Sequence, residues 1–520
     1  MAKLAVDQAL LKAKSHAKKG DIEEAQKLYK KVLQAFPKNK RAQKGLDALK
    51  KLKKSTAYQT PPQEISNQLS NLYNQGQLKA VVEQANLLTA LYPEALFVWN
   101  MLGIATAQTG QIDKAITAFQ RVIAIKPDYP DAYNNMGNAL REQGKSEEAI
   151  ASYNKALSLK PDYAAVYNNM GTTLRDQGKF EEATAYYNKA LSLKPDFAEA
   201  HENLSFVLLN SGRLQEGLDK YEWRWKSTAK HSSKRNFPQP LWDPQHSLQG
   251  KRILLWCEQG VGDTINWSSK LPLIFSQADH CILECQEKLV PLLTRSFPNI
   301  EIKAEDRSRD SQRDDFDFHL PMGSIYRHFI SEISAKSMSD PFLVPDPVRI
   351  KFWRQRLKYL GKGPYIGISW KSSNLSPRRI PNYAPISDWS PIFLVPDVTF
   401  VNLQYIDFLY DLSKIQDEFG VTIHNFDDLD HYNDLDDVAA LCAALDMVVS
   451  TKITVPFISA GVGTLTKLAN WRQSPWNNVL LNPVGPAIDI FDRNTWEPWK
   501  NIFSAISKDI INFRTKSKTD

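Results

Sequence analysis

Long apolar runs are missing from this chain of 520 residues, so no stretch is predicted to span a bilayer, and the amino-terminal MAKLAVDQALLKAKSH lacks the continuous apolar core of a secretory signal. Cysteine is scarce. The four present, Cys257, Cys281, Cys285 and Cys442, lie in or near apolar strand or helix candidates without the paired spacing of a zinc site. They read as small core residues of a reducing compartment, and a cytoplasmic location is the expectation. An excess of one charge is lacking as well: 65 Lys+Arg against 58 Asp+Glu leave +7 over the whole length, which does not imply nucleic acid. Basic residues gather at Lys38, Lys40, Arg41, Lys44, Lys50, Lys51, Lys53 and Lys54, read as a solvated helix face ahead of an anionic-surface contact. What is present, 42% hydrophobic and 24% charged residues, is the composition of globular protein, and the length calls for two or three cores.

Periodicity dominates the first half. Gly76, Gly110, Gly144, Gly178 and Gly212 recur every 34 residues, and Pro93, Pro127, Pro161 and Pro195 share that period. Between them lie helical patterns such as 131–143 and 145–159, with glycine at the turn and Lys-Pro-Asp closing the second helix. A helical hairpin of this kind cannot bury its apolar face alone and must stack. Gly103, Gly137 and Gly171 stand where the first helix approaches its neighbour, Ala115, Ala149 and Ala183 do the same on the second, and Tyr153 and Tyr187 fill the space between hairpins. These residues resemble the tetratricopeptide repeat family from Pro62 to Tyr221. A degenerate copy runs from about Val6 to Pro37, with Gly20, Ala25 and Tyr29 at matching offsets. A charged helix and the linker Thr60-Pro61-Pro62 then break the phase.

Asn135, Asn169 and Asn203 are also 34 apart. Asparagine is a poor helix former, so a ladder of side-chain amides on one face points to holding an extended peptide by its backbone. It resembles the ladder lining the repeats of protein O-linked N-acetylglucosamine transferases. The plain alternative is a consensus form of the repeat, and both readings stand at this point.

After Tyr221 comes Glu222-Trp223-Arg224-Trp225, whose tryptophans are expected to cement the end of the solenoid, and then a polar basic linker, 226–236. From Lys251 the pattern changes to short apolar runs alternating with helical ones: Ile253 to Cys257, Cys281 to Glu284, Ile300 to Ile302, Phe316 to Leu320, Tyr365 to Lys371, Val398 to Leu403, Val421 to Ile423 and Met447 to Ser450. That alternation predicts parallel sheets with helices on their faces. The charged segment 303–315 reads as a mobile surface loop, and the acidic start of the helix from Leu435, with Asp434, Asp436 and Asp437, is explained by the helix dipole.

The strand at Ile253 breaks at Gly260-Val261-Gly262 before Asp263 and a helical stretch expected from Thr264. Read alone, a glycine turn between strand and helix fits phosphate, although the third glycine of a dinucleotide fingerprint is missing. Later, Ser450-Thr451-Lys452-Ile453-Thr454 and Gly461-Val462-Gly463 leave the carboxyl end of a strand, where open α/β sheets bind ligands. With Lys371, Ser372 and Gln404 after neighbouring strands, hydroxyls, amides and two lysines suit a diphosphate without a metal.

EWRW, the Gly-Val-Gly-Asp turn, Pro321-Met322-Gly323-Ser324, Gly-Ile-Ser-Trp-Lys and Ala-Ala-Leu-Asp-Met-Val-Val-Ser together resemble the bacterial glycosyltransferase family related to the heptosyltransferases, in its subgroup fused to tetratricopeptide repeats. The resemblance implies an α plus α/β chain: a repeat solenoid followed by two Rossmann-like halves of GT-B type. It divides the chain into a degenerate repeat and charged helix (1–58), the solenoid (59–225), a linker (226–248), an acceptor-side half (249–362) and a donor-side half with a C-terminal helix (363–520). It further implies a nucleoside-diphosphate sugar as co-substrate, no metal, and a protein or peptide acceptor in the repeat groove. Asp263 would be the general base and Gly260, Gly262 and Thr264 the acceptor loop. Lys371, Ser372, Gln404, Ser450, Thr451, Lys452, Thr454, Gly461 and Gly463 would hold the donor. One departure is plain. Where the family reads Ser-Val-Asp-Thr and then His, this chain has Ser450-Thr451-Lys452-Ile453 and Phe457. Either Lys452 supplies charge in place of a carboxylate, or the fold serves a non-catalytic adaptor.

Overall fold

The computed structural model describes residues 2–18, 22–57, 61–227, 234–335, 340–373, 379–471, 487–493 and 497–517. Gly20, Thr60, linker residues 228–233 and residues 374–378, part of the stretch from Ser372 to Arg379 whose sequence reads as a polar basic loop, lie outside the described residues, as do the side chains of Lys50, Lys51, Lys53 and Lys54. The chain forms two compact units, 1–173 and 174–520.

The first unit is a succession of antiparallel helix pairs. Helices Leu96–Gln108 and Ile112–Ile125 make one repeat, Pro130–Glu142 and Ser146–Leu159 the next. Each pair turns at a glycine in the left-handed region, Gly110 at φ +78° and Gly144 at φ +83°, which other side chains adopt at a cost. Gly137 meets a different constraint, because a Cβ there would stand 2.5 Å from the Tyr153 ring, and only glycine lets the ring lie flat against the helix. Ala115, Ala149 and Tyr153 are buried between the helices, as their spacing predicts. The degenerate copy also folds as a pair, Ala2–Lys18 and Ile22–Ala35, around Leu10, Ala13, Ala25 and Tyr29.

In the second unit, helices Phe180–Leu193, Ala198–Asn210 and Leu214–Tyr221 lead into a 3-10 turn, Glu222–Lys226, and then into parallel strands. Strands β1 (Arg252–Trp256), β2 (His280–Cys285), β3 (Glu301–Ala304) and β4 (Phe318–Pro321) form a sheet in the order β3-β2-β1-β4. Strands β5 (Tyr365–Ser369), β6 (Thr399–Asn402), β7 (Ile423–His424), β8 (Met447–Thr451), β9 (Leu465–Trp471) and β10 (Ile488–Arg493) form a second, ordered β10-β9-β8-β5-β6-β7. Every pairing is parallel. In both sheets the chain starts inside, winds to one edge and returns to the other side of the first strand. The order therefore reverses between β1 and β4 and between β5 and β8.

The near-continuous apolar strands are buried on both faces, as parallel strands require. One apolar cluster runs from Leu209 and Leu218 of the last helices through Ile253, Leu255 and Leu283 to Val448 and Leu468, so the two sheets share a core. A second, with Trp389, Phe393 and Phe503, lies under the C-terminal helix Trp499–Ser517. Burying one such aromatic is worth roughly 2 to 3 kcal/mol.

Two expectations change. The charged segment 303–315 is pinned rather than mobile: buried Arg235 reaches Glu284 at 2.6 Å and Asp310 at 2.9 Å, and Arg313 also pairs with Glu284. The acidic helix start does more than meet the dipole. Asp434 caps it by accepting from the Asp437 amide, Asp436 takes a bidentate contact from Arg295 at 2.7 and 2.8 Å, and Asp437 pairs with Arg349 and the Trp353 indole.

Candidate functional site

The carboxyl end of β1 leads to Gly260, and the helix Val261–Ser268 begins at once. The expected start at Thr264 is corrected by three residues, because Gly262 and Asp263 already sit in the first helical turn. Gly260 is the N-cap at φ −71°, so no left-handed backbone calls for glycine there. Gly262 has a different reason to be small. A Cβ on it would lie 3.4 Å from Phe457 and 3.5 Å from Thr454, so this helix approaches the helix Val455–Gly461 of the second sheet at its own first turn.

Asp263 is half-buried at that approach, and burial raises its carboxyl above the usual range, against Lys452, Arg379 and the Gly260 amide. Burial brings the Lys452 ammonium down to about 8, opposed by Asp263 and Asp492 and assisted by Arg379. The sequence-predicted base and the lysine that departs from the family pattern therefore act on each other.

Behind this turn lies a buried ion cluster. Arg224 of the EWRW turn gives Nε to Glu258 at 2.9 Å, Nη2 to Glu258 at 3.0 Å and to Ser324 at 2.8 Å, and Nη1 to Glu222 at 2.7 Å. Burial disfavours the Arg224 charge, but Glu258, Tyr221 and Glu222 outweigh it and the group is held protonated more firmly than usual. The Gly323 amide donates to Glu258 at 3.0 Å, and Glu258 fills the place a side chain at 323 would need. The three motifs EWRW, Gly-Val-Gly-Asp and Pro-Met-Gly-Ser are thus one packed unit holding the loop after β1. The tryptophans act as cement: Trp223 stacks on His201 with ring centroids 3.7 Å apart, and Trp225 lies 5.4 Å from Trp256.

The residues expected to hold the donor fall into two groups. At the ends of β5, β6 and β8, Gln404 is fully buried and clamps the chain, accepting from the Trp370 and Lys371 amides at 2.9 and 3.0 Å and donating to Lys371 O at 2.7 Å. Ser372 accepts from the Tyr405 hydroxyl at 3.0 Å. Ser450 meets Ser369 at 2.8 Å, and Thr451 donates to Trp370 O at 3.0 Å. Lys371 Nζ donates to Asp411 at 2.7 Å. Thr454 stands beside Gly262, and Thr264 is buried with its hydroxyl on Gly260 O. Gly461 and Gly463 are not part of this. They lie at the far end of the helix Val455–Gly461, where Gly461 O accepts from the Phe342 and Leu343 amides at 3.0 Å and Gly463, at φ +88°, faces Pro341.

In the repeats, the amides of the expected ladder bond to the protein itself. Asn135 donates to Asn100 at 3.3 Å and Asn169 to Asn134 at 2.8 Å, stitching each repeat to the one before, while Asn203 accepts from Arg175 at 3.3 Å. Sequence reasoning gave no role to Arg379 before the turn Ile380–Asn382 or to Asn470 of β9, missed Asp492 because β10 carries no recognised strand pattern, and missed Glu258, which reads as one more polar residue after a strand. Among the described residues, no group of three His, Cys, Asp or Glu is placed to hold a metal, and no helix is long and apolar enough to cross a membrane.

The family profile described as Tetratricopeptide repeat matches residues 128–196 and, in a second version, 10–46, and the one described as TPR repeat matches 103–141. Protein FlbA of Caulobacter vibrioides (strain ATCC 19089 / CIP 103742 / CB 15) is 30% identical over 315 residues, 57% of this chain and 52% of FlbA. The chain therefore spans about half the length of the curated relative it matches. Among solved structures, MamA from Desulfovibrio magneticus RS-1 is 17% identical over 32% of this chain and 97% of that one, with a TM-score of 0.29. TTC0263, a thermophilic TPR protein in Thermus thermophilus, is 19% identical over 39% and 99%, with a TM-score of 0.26. Likenesses at these scores carry no argument. The profiles and the 34-residue period carry the conclusion that the chain contains tetratricopeptide repeats, units that serve protein interaction, followed by two parallel α/β sheets.

Proposed function

We propose that the α/β region, as two Rossmann-like halves of GT-B type, transfers a sugar from a nucleoside-diphosphate sugar to a hydroxyl on a protein or peptide bound by the repeats. The observation that supports this reading most is the approach of the Asp263 turn, at the end of β1, to the Lys452 loop, at the end of β8. A carboxylate with a raised pKa beside a cation gives a base and a counter-charge in one place. The acceptor oxygen bonds to the anomeric carbon, its proton goes to Asp263, and the bond to the diphosphate breaks with its electron pair leaving on the nucleoside diphosphate. Lys452 offsets that charge. No protein nucleophile and no metal enters the scheme.

Titration of UDP, GDP, CDP and ADP into the full chain is expected to reveal binding by at least one, weakened about tenfold or more in Lys452→Ala. Asp263→Ala should keep that binding and lose transfer, read by intact mass of candidate acceptor proteins. A second reading, a tetratricopeptide-repeat adaptor with a non-catalytic α/β region, draws on the internal bonds of Lys371, Ser450 and Thr451. Absence of binding by all four nucleotides favours it.

A further inference from the structure

The strand register extends from Lys452 a row whose other two members, Asn470 and Asp492, none of the donor or acceptor assignments uses. Thr451 of β8 pairs with Ala469 of β9, which brings Lys452 level with Asn470, and Asn470 pairs with Asp492 of β10. Side chains alternate along a strand, so Asn470 shares its face with Thr466, whose hydroxyl meets Ser459 of the helix Val455–Gly461. The row Lys452, Asn470, Asp492 therefore runs along the carboxyl edge of the sheet on the face that this helix covers, one and two strands away from the reversal between β5 and β8.

Asn470 is fully buried, donates from Nδ2 to Asp492 Oδ1 at 2.7 Å, and leaves its Oδ1 without any partner. Turning the amide over would set its oxygen against the carboxylate, so the neighbour decides which atom is left over. The turn Ile380–Asn382 packs against β9 and repeats the arrangement: Asn382 Nδ2 donates to Arg379 O at 3.1 Å, and its Oδ1 is buried and unpaired. Arg379 and Asp492 both act on the charge of Lys452, which ties the turn and the row to the same spot. Buried acceptors left unpaired cost stability and call for an incoming donor.

We propose that this edge is a sugar subsite, in which Asn470 Oδ1, Asn382 Oδ1 and the Asp492 carboxylate accept from the hydroxyls of a polyhydroxylated ring seated beside Lys452. A phosphate fits poorly, since it brings no donors to the amide oxygens and would face a carboxylate. Neighbouring strands lie about 4.8 Å apart, the scale on which a pyranose spreads its hydroxyls. The inference deepens the donor reading and rests on it for the position of the diphosphate, but not for the chemistry of the row.

The test compares binding of UDP, GDP, CDP and ADP with that of UDP-glucose, UDP-N-acetylglucosamine, GDP-mannose and ADP-glucose, and of the free monosaccharides, to the full chain, Asn470→Ala and Asn382→Ala. A sugar nucleotide is expected to bind roughly tenfold more tightly than its own diphosphate, with that advantage lost in both variants while diphosphate affinity is kept. If diphosphates bind and the sugar adds nothing, or adds the same in both variants, the subsite is overturned and the donor reading stands. Sugars that bind through Asn470 and Asn382 without any diphosphate binding sustain the subsite and overturn the donor reading. Failure of every ligand overturns both. Asn382→Ala changes an irregular turn, so it carries the test should Asn470→Ala not fold.

Discussion

Arg224 Nε lies 2.9 Å from Glu258 Oε2, and the pair joins the turn after the last repeat to the loop after β1 with neither side chain more than 3% exposed. Arg224→Ala leaves a carboxylate buried without its cation, and a loss of about 3 to 5 kcal/mol is expected in urea denaturation. The double variant Arg224→Met/Glu258→Leu removes the buried pair, leaves only the partly exposed Glu222 without its cation, and should recover a large part of it. A loss below about 1 kcal/mol in Arg224→Ala would show the cluster to be ornamental to the fold.

The Asn169 amide donates to Asn134, which is 7% exposed. Asn169→Ala strands that acceptor and is expected to cost about 1 to 2 kcal/mol in thermal or chemical denaturation. A residue reserved for peptide would leave the melting temperature unchanged when removed, so an unshifted transition would return the ladder to the groove.

How much could be read beforehand follows from the range of the forces involved. Gly144 and Gly178 mark turns because the left-handed backbone is a local demand, visible one residue at a time. The positions of β1, β5 and β8 along the chain were legible from apolar runs for the same reason, while their order in the sheets was not. Gly262 and Gly323 were not. Their smallness answers Phe457 and Glu258, 195 and 65 positions away, and only the folded chain brings those together. Gly461 and Gly463 mislead in the opposite sense: glycines after a strand look like a phosphate loop, yet a helix carries them to its far end against Pro341 and Leu343. The departure at Lys452 reads in sequence as a lost carboxylate, and its partner Asp263 becomes apparent only from the approach of two helices.

Lys452 carries a pH signature. Its folded pKa, about 8, lies below the ordinary 10.5, so below pH 8 it is charged in both states and burial disfavours the native one. Between about pH 8 and 10.5 the unfolded chain holds the extra proton, and stability contributed at this position rises with pH. Lys452→Met removes the titration. The melting temperature of the parent, taken relative to Lys452→Met, should therefore climb from about pH 8 to 10, and a flat difference would show the lysine to be solvated.

Lys371 and Asp411 give the donor reading a signed test. Their contact of 2.7 Å is partly exposed, and Asp411 Oδ2 also accepts from the Trp370 indole at 2.8 Å. Asp411→Asn keeps an oxygen for the indole and removes the counter-charge of the lysine. If Lys371 serves a diphosphate, the substitution frees it and affinity for the nucleotide that binds should rise several-fold, more at low salt than at high. Lys371→Ala should lower it. Equal affinities in both variants and the parent would assign the pair to holding the loop 404–411 against the end of β5, which the two amide contacts of Gln404 already do from the other side.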